Sequence, residues 1–200
     1  MLSTLQNWDR WLFNKINNDW TNSFLDTIFP FWREAICWAP LYTFLLIFVL
    51  VNFGKKAWPW VFGLLITVML TDQFSSSILK PFVNRPRPCH DLLLADHIRL
   101  LLNTCSDSRS FTSSHATNHF GIAFFIYFTL KPYIKKWGYG FFLWAASISY
   151  GQVYIGVHYP TDVICGALLG SIIGFTTSRF FNSRFVLQSP VPKNNKLASV

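Results

Sequence analysis

Five apolar stretches, residues 36–53, 58–79, 114–130, 139–157 and 163–181, divide this chain and decide what it can fold into. A bilayer core of about 30 Å needs roughly 20 helical residues at 1.5 Å each, and these stretches approach that length. The third is short and carries His115, Asn118 and His119. The pattern predicts an all-α fold, a polytopic membrane helical bundle of five spans. Composition agrees, with 52% hydrophobic and only 13% charged residues, against about 25% charged in an ordinary soluble domain. At 200 residues there is room for one domain, residues 1–188, and the polar end at 189–200, with Pro190, Pro192, Lys193 and Lys196, reads as a disordered tail.

Residues 1–35 differ from the spans. They mix Trp8, Trp11, Phe13, Trp20, Phe24, Phe29 and Trp32 with Asp9, Arg10, Lys15, Asp19 and Asp26. That is too polar to cross hydrocarbon cheaply, and it fits an interfacial helical segment whose rings sit at headgroup level. The segment lacks the compact apolar core after a basic start that marks a cleavable signal peptide.

Basic residues orient the bundle. Lys55 and Lys56, then Lys131, Lys135 and Lys136, then Arg179, Arg184, Lys193 and Lys196 fall on one side, which the positive-inside rule makes cytoplasmic. The opposite, extracytoplasmic side receives residues 80–113 and the turn from His158 to Asp162. That outer loop holds Lys80, Arg85, Arg87, Arg99 and Arg109 against the usual bias, and an anionic substrate supplies the reason. The net charge of +8 is explained by topology, so nucleic acid is not an expected partner.

Three segments at this outer end carry the chemistry. Lys80-Pro81-Phe82-Val83-Asn84-Arg85-Pro86-Arg87-Pro88 leaves the second span with cations between prolines, which stop the helix and restrict the backbone into a preset clamp. Arg87 offers a planar fork to phosphate oxygens and Lys80 a compact charge. Alone, the segment reads equally as an ordinary membrane-exit anchor. Ser113-Ser114-His115 opens the third span, where free N–H groups and the positive helix end suit an anion, and His115 can deliver a proton there. The bland counterpart is a capped helix with a satisfied histidine. His115 and His119 are spaced as metal ligands can be, but no further ligand pair supports a metal. Where the fourth span turns into the fifth, Asp162 follows His158 by four residues across Pro160. A carboxylate there can hold one ring N–H and leave the other nitrogen as a nucleophile, although a structural His-Asp bond is common.

Together these residues carry a family resemblance. Lys80, Arg87 and Pro88 match a Lys-x6-Arg-Pro motif, Ser113, Ser114 and His115 match Pro-Ser-Gly-His in part, and His158 with Asp162 match Arg-x5-His-x3-Asp. The chain resembles the integral-membrane members of the type 2 phosphatidic acid phosphatase superfamily, which also includes vanadium haloperoxidases and soluble acid phosphatases. The resemblance implies a lipid phosphatase acting at the outer face of the cytoplasmic membrane on undecaprenyl diphosphate, phosphatidylglycerol phosphate or phosphatidic acid. It implies His158 as the nucleophile forming a phosphohistidine, Asp162 orienting it, and His115 protonating the leaving oxygen. Lys80, Arg87, Ser113 and the N–H of Ser114 would hold the phosphate, with no metal or other cofactor. A lipid phosphotransferase and an inactive lipid-phosphate binder are the competing functions, and the spans disfavour a haloperoxidase.

Two departures stand out. Thr112 and Ser114 replace the family's Pro and Gly, and Gln152 stands where the family has Arg, with Gly151 in place of Ser. Gln152 can donate a hydrogen bond but brings no charge, and the sequence points to Arg85 or Arg109 as the compensating cation. Two further expectations concern structure. Cys89 and Cys105 share the outer loop and can form a disulfide, and Asp72, deep in the second span, reads as a buried group facing the bundle interior.

Overall fold

The computed structural model describes residues 2–94, 97–185 and 187, and those residues form helices and connecting turns only. Helix α1 is Leu2–Asn14, α2 Ser23–Trp32, α3 Ala39–Phe53 and α4 Ala57–Asp72. The last continues through wide turns at Gln73–Leu79 into α5, Lys80–Val83. A long loop with one helical turn at Pro88–His90 leads to α6 (Ser114–Ile134), then α7 (Tyr139–Tyr154) and α8 (Pro160–Arg184). The tail expected at 189–200 and the domain limit at 188 lie outside the described residues.

Each apolar stretch forms one helix of the bundle. The segment Ala35–His90 and α8 are both apolar enough and long enough to cross a membrane. Phe44, Val51, Phe62, Met69, Leu143 and Ile172 point outward from α3, α4, α7 and α8. A soluble domain rarely exposes contiguous apolar surface on this scale, whereas lipid tails solvate it.

Helix α6 is the axis of the bundle, lying against α4, α7 and α8. It approaches α8 so closely that a Cβ built on Gly170 would sit 2.1 Å from the Thr117 carbonyl oxygen. Only glycine allows that contact, which is how helices pack when lipid gives no hydrophobic drive. Polar bonds add to it: Trp60 Nε1 donates to Thr129 Oγ1 at 2.8 Å, and Thr67 to Thr177 at 2.8 Å. Val49, Trp60, Phe125, Leu130 and Ile148 fill the space between.

Helices α1 and α2 cap the opposite end and form a second core, in which Phe13, Ile16 and Phe29 pack against Tyr154, Val157 and Tyr159. Asp9 and Arg10, two of the charged residues that make this segment polar, are bonded within the protein. Asp9 is 1% exposed and accepts from the Thr161 N–H (2.9 Å) and from Arg85 Nη2 (2.6 Å). Arg10 pairs with Asp91 at 3.0 Å, and Asn17 bonds the Tyr154 carbonyl at 2.7 Å. Trp8, Trp11, Trp20 and Phe24 remain exposed.

Two sequence expectations need correction. The helix does not stop at its first proline: it runs past Pro81 and ends at Asn84, whose left-handed backbone (φ 53°) turns the chain away. The wide turns just before it shift the hydrogen-bond pattern, so a residue without an N–H is accommodated. Asp72 is exposed rather than buried, accepting bonds from Ser76 Oγ (3.2 Å) and Asn118 Nδ2 (3.4 Å) along an open seam between α4 and α6. Two neutral donors, not a bundle interior, hold this carboxylate.

Candidate active site

The turn between α7 and α8 places its two key residues by backbone bonding. The N–H groups of Val157 and His158 both bond the Gln152 carbonyl at 3.2 Å, folding the chain back over the end of α7. Gly156, at φ +90°, makes this possible, and a Cβ there would lie 2.9 Å from the Arg99 carbonyl oxygen. Helix α8 then begins at Pro160, and Asp162 caps it: its Oδ2 accepts the Tyr159 N–H at 2.9 Å. The Ser113 N–H bonds the Asp162 carbonyl oxygen at 3.1 Å, bringing the start of α6 onto the start of α8.

His158 is 2% exposed and has different partners on its two ring nitrogens. Nδ1 faces Asp162 Oδ2 at 3.7 Å and the Ser110 hydroxyl at 3.5 Å. The Ser110 hydroxyl donates to that same carboxylate oxygen in a short bond, so the expected His-Asp pair is a triangle with Ser110 as its third corner. Nε2 faces Arg87 Nη1 at 3.4 Å. Arg87 is held by the Ser108 carbonyl (2.9 Å), the Ser108 hydroxyl (2.8 Å) and the Val157 carbonyl (3.1 Å). One ring edge therefore meets a carboxylate and the other a guanidinium. Such an arrangement can present a lone pair toward an anion that the guanidinium binds.

The electrostatics follow from burial. Burial lowers the His158 pKa to about 4, although Asp162 pulls the other way. Burial alone would push the Asp162 carboxyl up, but His158, Arg85 and Ser110 outweigh it and leave it below its usual range. The imidazole is thus neutral and its partner carboxylate charged. Lys80 lies within electrostatic range of both Arg87 and Asp162.

His115 and Lys80 lie within electrostatic range of His158, so the three separated segments do converge. Ser113 is buried and its Oγ accepts the Ala116 N–H at 3.4 Å as the helix cap. Ser114 faces α4 instead, bonding Ser75 at 2.9 Å and Ser76 at 3.0 Å. His119 bonds the His115 carbonyl at 2.7 Å and packs on Trp144, a structural arrangement. Cys89 and Cys105 are joined, with Cα atoms 6.4 Å apart.

Neither arginine expected to replace the charge missing at position 152 is placed to do so. Arg85 is committed to Asp162 Oδ1 (2.8 Å), Thr161 Oγ1 (2.8 Å) and Asp9, and it stacks on the Tyr159 ring at 3.8 Å. It orients the carboxylate. Arg109 is exposed, with no side-chain bond among the described residues. Gln152 is fully buried, and neither its Oε1 nor its Nε2 has a partner among the described residues.

Sequence reasoning missed Asp9, Arg33, Ser108 and Ser110. Arg33 lines a cavity of about 380 Å³ together with Arg87, Asn103, Thr104 and Val157. No motif marks these residues, because they act across 21 to 152 positions of chain.

A family model described as the PAP2 superfamily matches residues 60–185. The chain is 32% identical over 176 residues to a lipid A 4'-phosphatase of Bacteroides thetaiotaomicron, covering 82% of this chain and 77% of that protein. The crystal structure of Aquifex aeolicus LpxE superposes with a TM-score of 0.61 at 30% identity, over 84% of this chain and 93% of that one. A transmembrane PAP2-type phosphatidylglycerolphosphate phosphatase from Bacillus subtilis gives 0.65 at 19% identity, over 90% and 87%, and supports the fold alone.

Proposed function

The chain belongs to the PAP2 superfamily of membrane lipid phosphatases, hydrolases of lipid phosphate esters, and from that premise we propose a metal-independent mechanism through a phosphohistidine at His158. The observation that carries it is the division of the His158 ring, with Asp162 and Ser110 on the Nδ1 side and Arg87 at 3.4 Å on the Nε2 side. Nε2 attacks phosphorus, the bond from phosphorus to the lipid oxygen breaks, and His115 gives that oxygen a proton. Water then attacks the phosphohistidine, His115 takes its proton, and inorganic phosphate leaves. Lys80, Arg87, Ser113 and the N–H groups opening α6 hold the phosphate oxygens, and their fixed charge favours the developing transition state. The Gln152 amide adds a neutral donor.

Five spans are the topology that suits this role. Helices α3, α4 with α5, α6, α7 and α8 cross the cytoplasmic membrane, while α1 and α2 lie at the outer interface through Trp8, Trp11 and Trp20. The site then opens to the extracytoplasmic face. The lipid A 4'-phosphatase relative makes a phosphorylated glycolipid the first substrate to test, and Asn103 and Thr104 beside Arg87 offer hydroxyl-binding groups for a sugar. Purified protein assayed for phosphate release from lipid A, phosphatidylglycerol phosphate, phosphatidic acid and undecaprenyl diphosphate tests the function. His158→Ala should abolish turnover on every active substrate, and full activity in that variant overturns the mechanism.

A further inference from the structure

Gln152 removes a cation from the phosphate site, and its buried amide has neither partner filled among the described residues. Unpaired buried polar atoms are costly unless a ligand completes them. Arg10, Arg85 and Arg99 are already paired with carboxylates, as Asp91, Asp9 with Asp162, and Asp26. Arg33, the C-cap of α2, differs. Its side chain is 17% exposed, its buried Nε makes no hydrogen bond, and its nearest carboxylate, the exposed Glu34, stands 3.7 Å away.

Arg33 and Arg87 line the same cavity together with the exposed Glu34, and it also reaches Val157, whose carbonyl holds Arg87 beside the His158 ring. Two guanidinium groups facing one cavity repel when it is empty and both gain when a dianion enters. That repulsion is felt: after burial, Arg33 is the main cause lowering the Arg87 pKa. Arg33 also lies within electrostatic range of His115.

We propose that Arg33 binds the substrate phosphate directly and supplies, from the N-terminal segment, the guanidinium that position 152 lacks. This rests on the reading of Arg87 and His158 as the phosphate site. The cavity geometry and the unmatched bonding capacity of Arg33 carry it, and Gln152 then serves as a neutral neighbour on the same anion. A charge moved from the catalytic helix turn to α2 keeps the number of cations while changing the side from which they approach. Here they approach across the cavity that Asn103 and Thr104 share, where a headgroup would sit.

The test is a double-mutant cycle on the detergent-purified full chain, using wild type, Arg33→Ala, Gln152→Arg and the double variant. Two readouts are followed, kcat/KM for lipid phosphate hydrolysis and the inhibition constant of orthovanadate, a phosphate mimic that reports binding without turnover. Loss of a hydrogen bond to a charged group predicts that Arg33→Ala lowers kcat/KM and raises the orthovanadate inhibition constant, each by about 10- to 100-fold. Gln152→Arg in that background should recover at least tenfold. Arg33→Gln replaces the alanine variant if the latter does not fold, with the same expectation. Values within twofold of wild type overturn the proposal. So does a loss that Gln152→Arg leaves unchanged, since additive effects mean the two positions do not share a ligand. Arg87→Ala and His158→Ala are run alongside: if they retain full turnover, the phosphate-site reading itself has failed, a result separate from the fate of Arg33.

Discussion

Arg85 Nη1 donates to Asp162 Oδ1 at 2.8 Å while its Nη2 reaches Asp9 at 2.6 Å, so one guanidinium ties the N-terminal helix to the carboxylate beside His158. Both carboxylates are essentially buried. Removing the cation would leave two anions in low dielectric with lost partners.

Arg85→Ala should therefore destabilise the protein by roughly 3 kcal/mol or more and cut kcat at least tenfold. Asp9→Asn keeps the shape and one acceptor, so it should cost less in both. Thermal unfolding in detergent and phosphate release measure these effects, and an Arg85→Ala enzyme with normal stability would contradict this account.

The pH profile follows from His158. Its pKa lies near 4 rather than 6.5, so the proposed nucleophile stays unprotonated well below neutrality. The acid limb of kcat/KM, corrected for ionisation of the substrate phosphate, is expected near pH 4. Asp162→Asn removes an anion that stabilises the protonated ring, so it should move that limb still lower while reducing the rate. Because the folded pKa is depressed, this histidine's contribution to stability is complete above about pH 6.5 and falls away as pH drops toward 4.

At the contact of α6 and α8, Gly170→Ala forces a carbon to within 2.1 Å of the Thr117 carbonyl oxygen unless the helices separate. Separation would carry Ser113 away from Asp162, breaking their 3.1 Å backbone bond. The variant should lose most activity and unfold at lower temperature, whereas Gly140→Ala, which meets nothing within 4 Å, should behave as wild type.

The Cys89–Cys105 bridge closes residues 89–105, and Ser108 and Ser110, which meet Arg87 and His158, follow directly after it. In the chain-entropy model a loop of this size contributes about 3 kcal/mol. The double Cys→Ser variant should lower the unfolding temperature and weaken phosphate binding, since the two serines that brace the site are then less well held. Alkylation of unreduced protein followed by mass spectrometry should find both thiols protected.

Topology has its own test. In a background without native cysteines, an impermeant thiol reagent should label Asp107→Cys in intact cells and leave Lys136→Cys untouched, both positions being exposed. The reverse pattern would invert the orientation and move the active site to the cytoplasm.

The helices and the His158–Asp162 pair were legible in the sequence because each rests on local spacing: apolar runs for the bundle, and an i, i+4 step for the pair. The Gly166, Gly170, Gly174 series was present as well, at the four-residue spacing of close helix contact, and went unread beside the motifs. What could not be read is whatever depends on distant chain folding back. Asp72 seemed interior by depth along its helix, but the rotation of that helix is set by α6, and it leaves the carboxylate exposed. Arg85 looked like a spare cation until Asp9, 76 residues earlier, occupied it.

The bond between Asp9 and Thr161 spans 152 positions, and it imposes an order on biogenesis. Helix α1 cannot find these partners until α8 has been made and inserted. A ribosome that stalls before α8 leaves Asp9 and Arg85 without Thr161 and Asp162, so an unfinished product would lack a catalytic centre and present mismatched charges at the membrane surface for quality control to recognise.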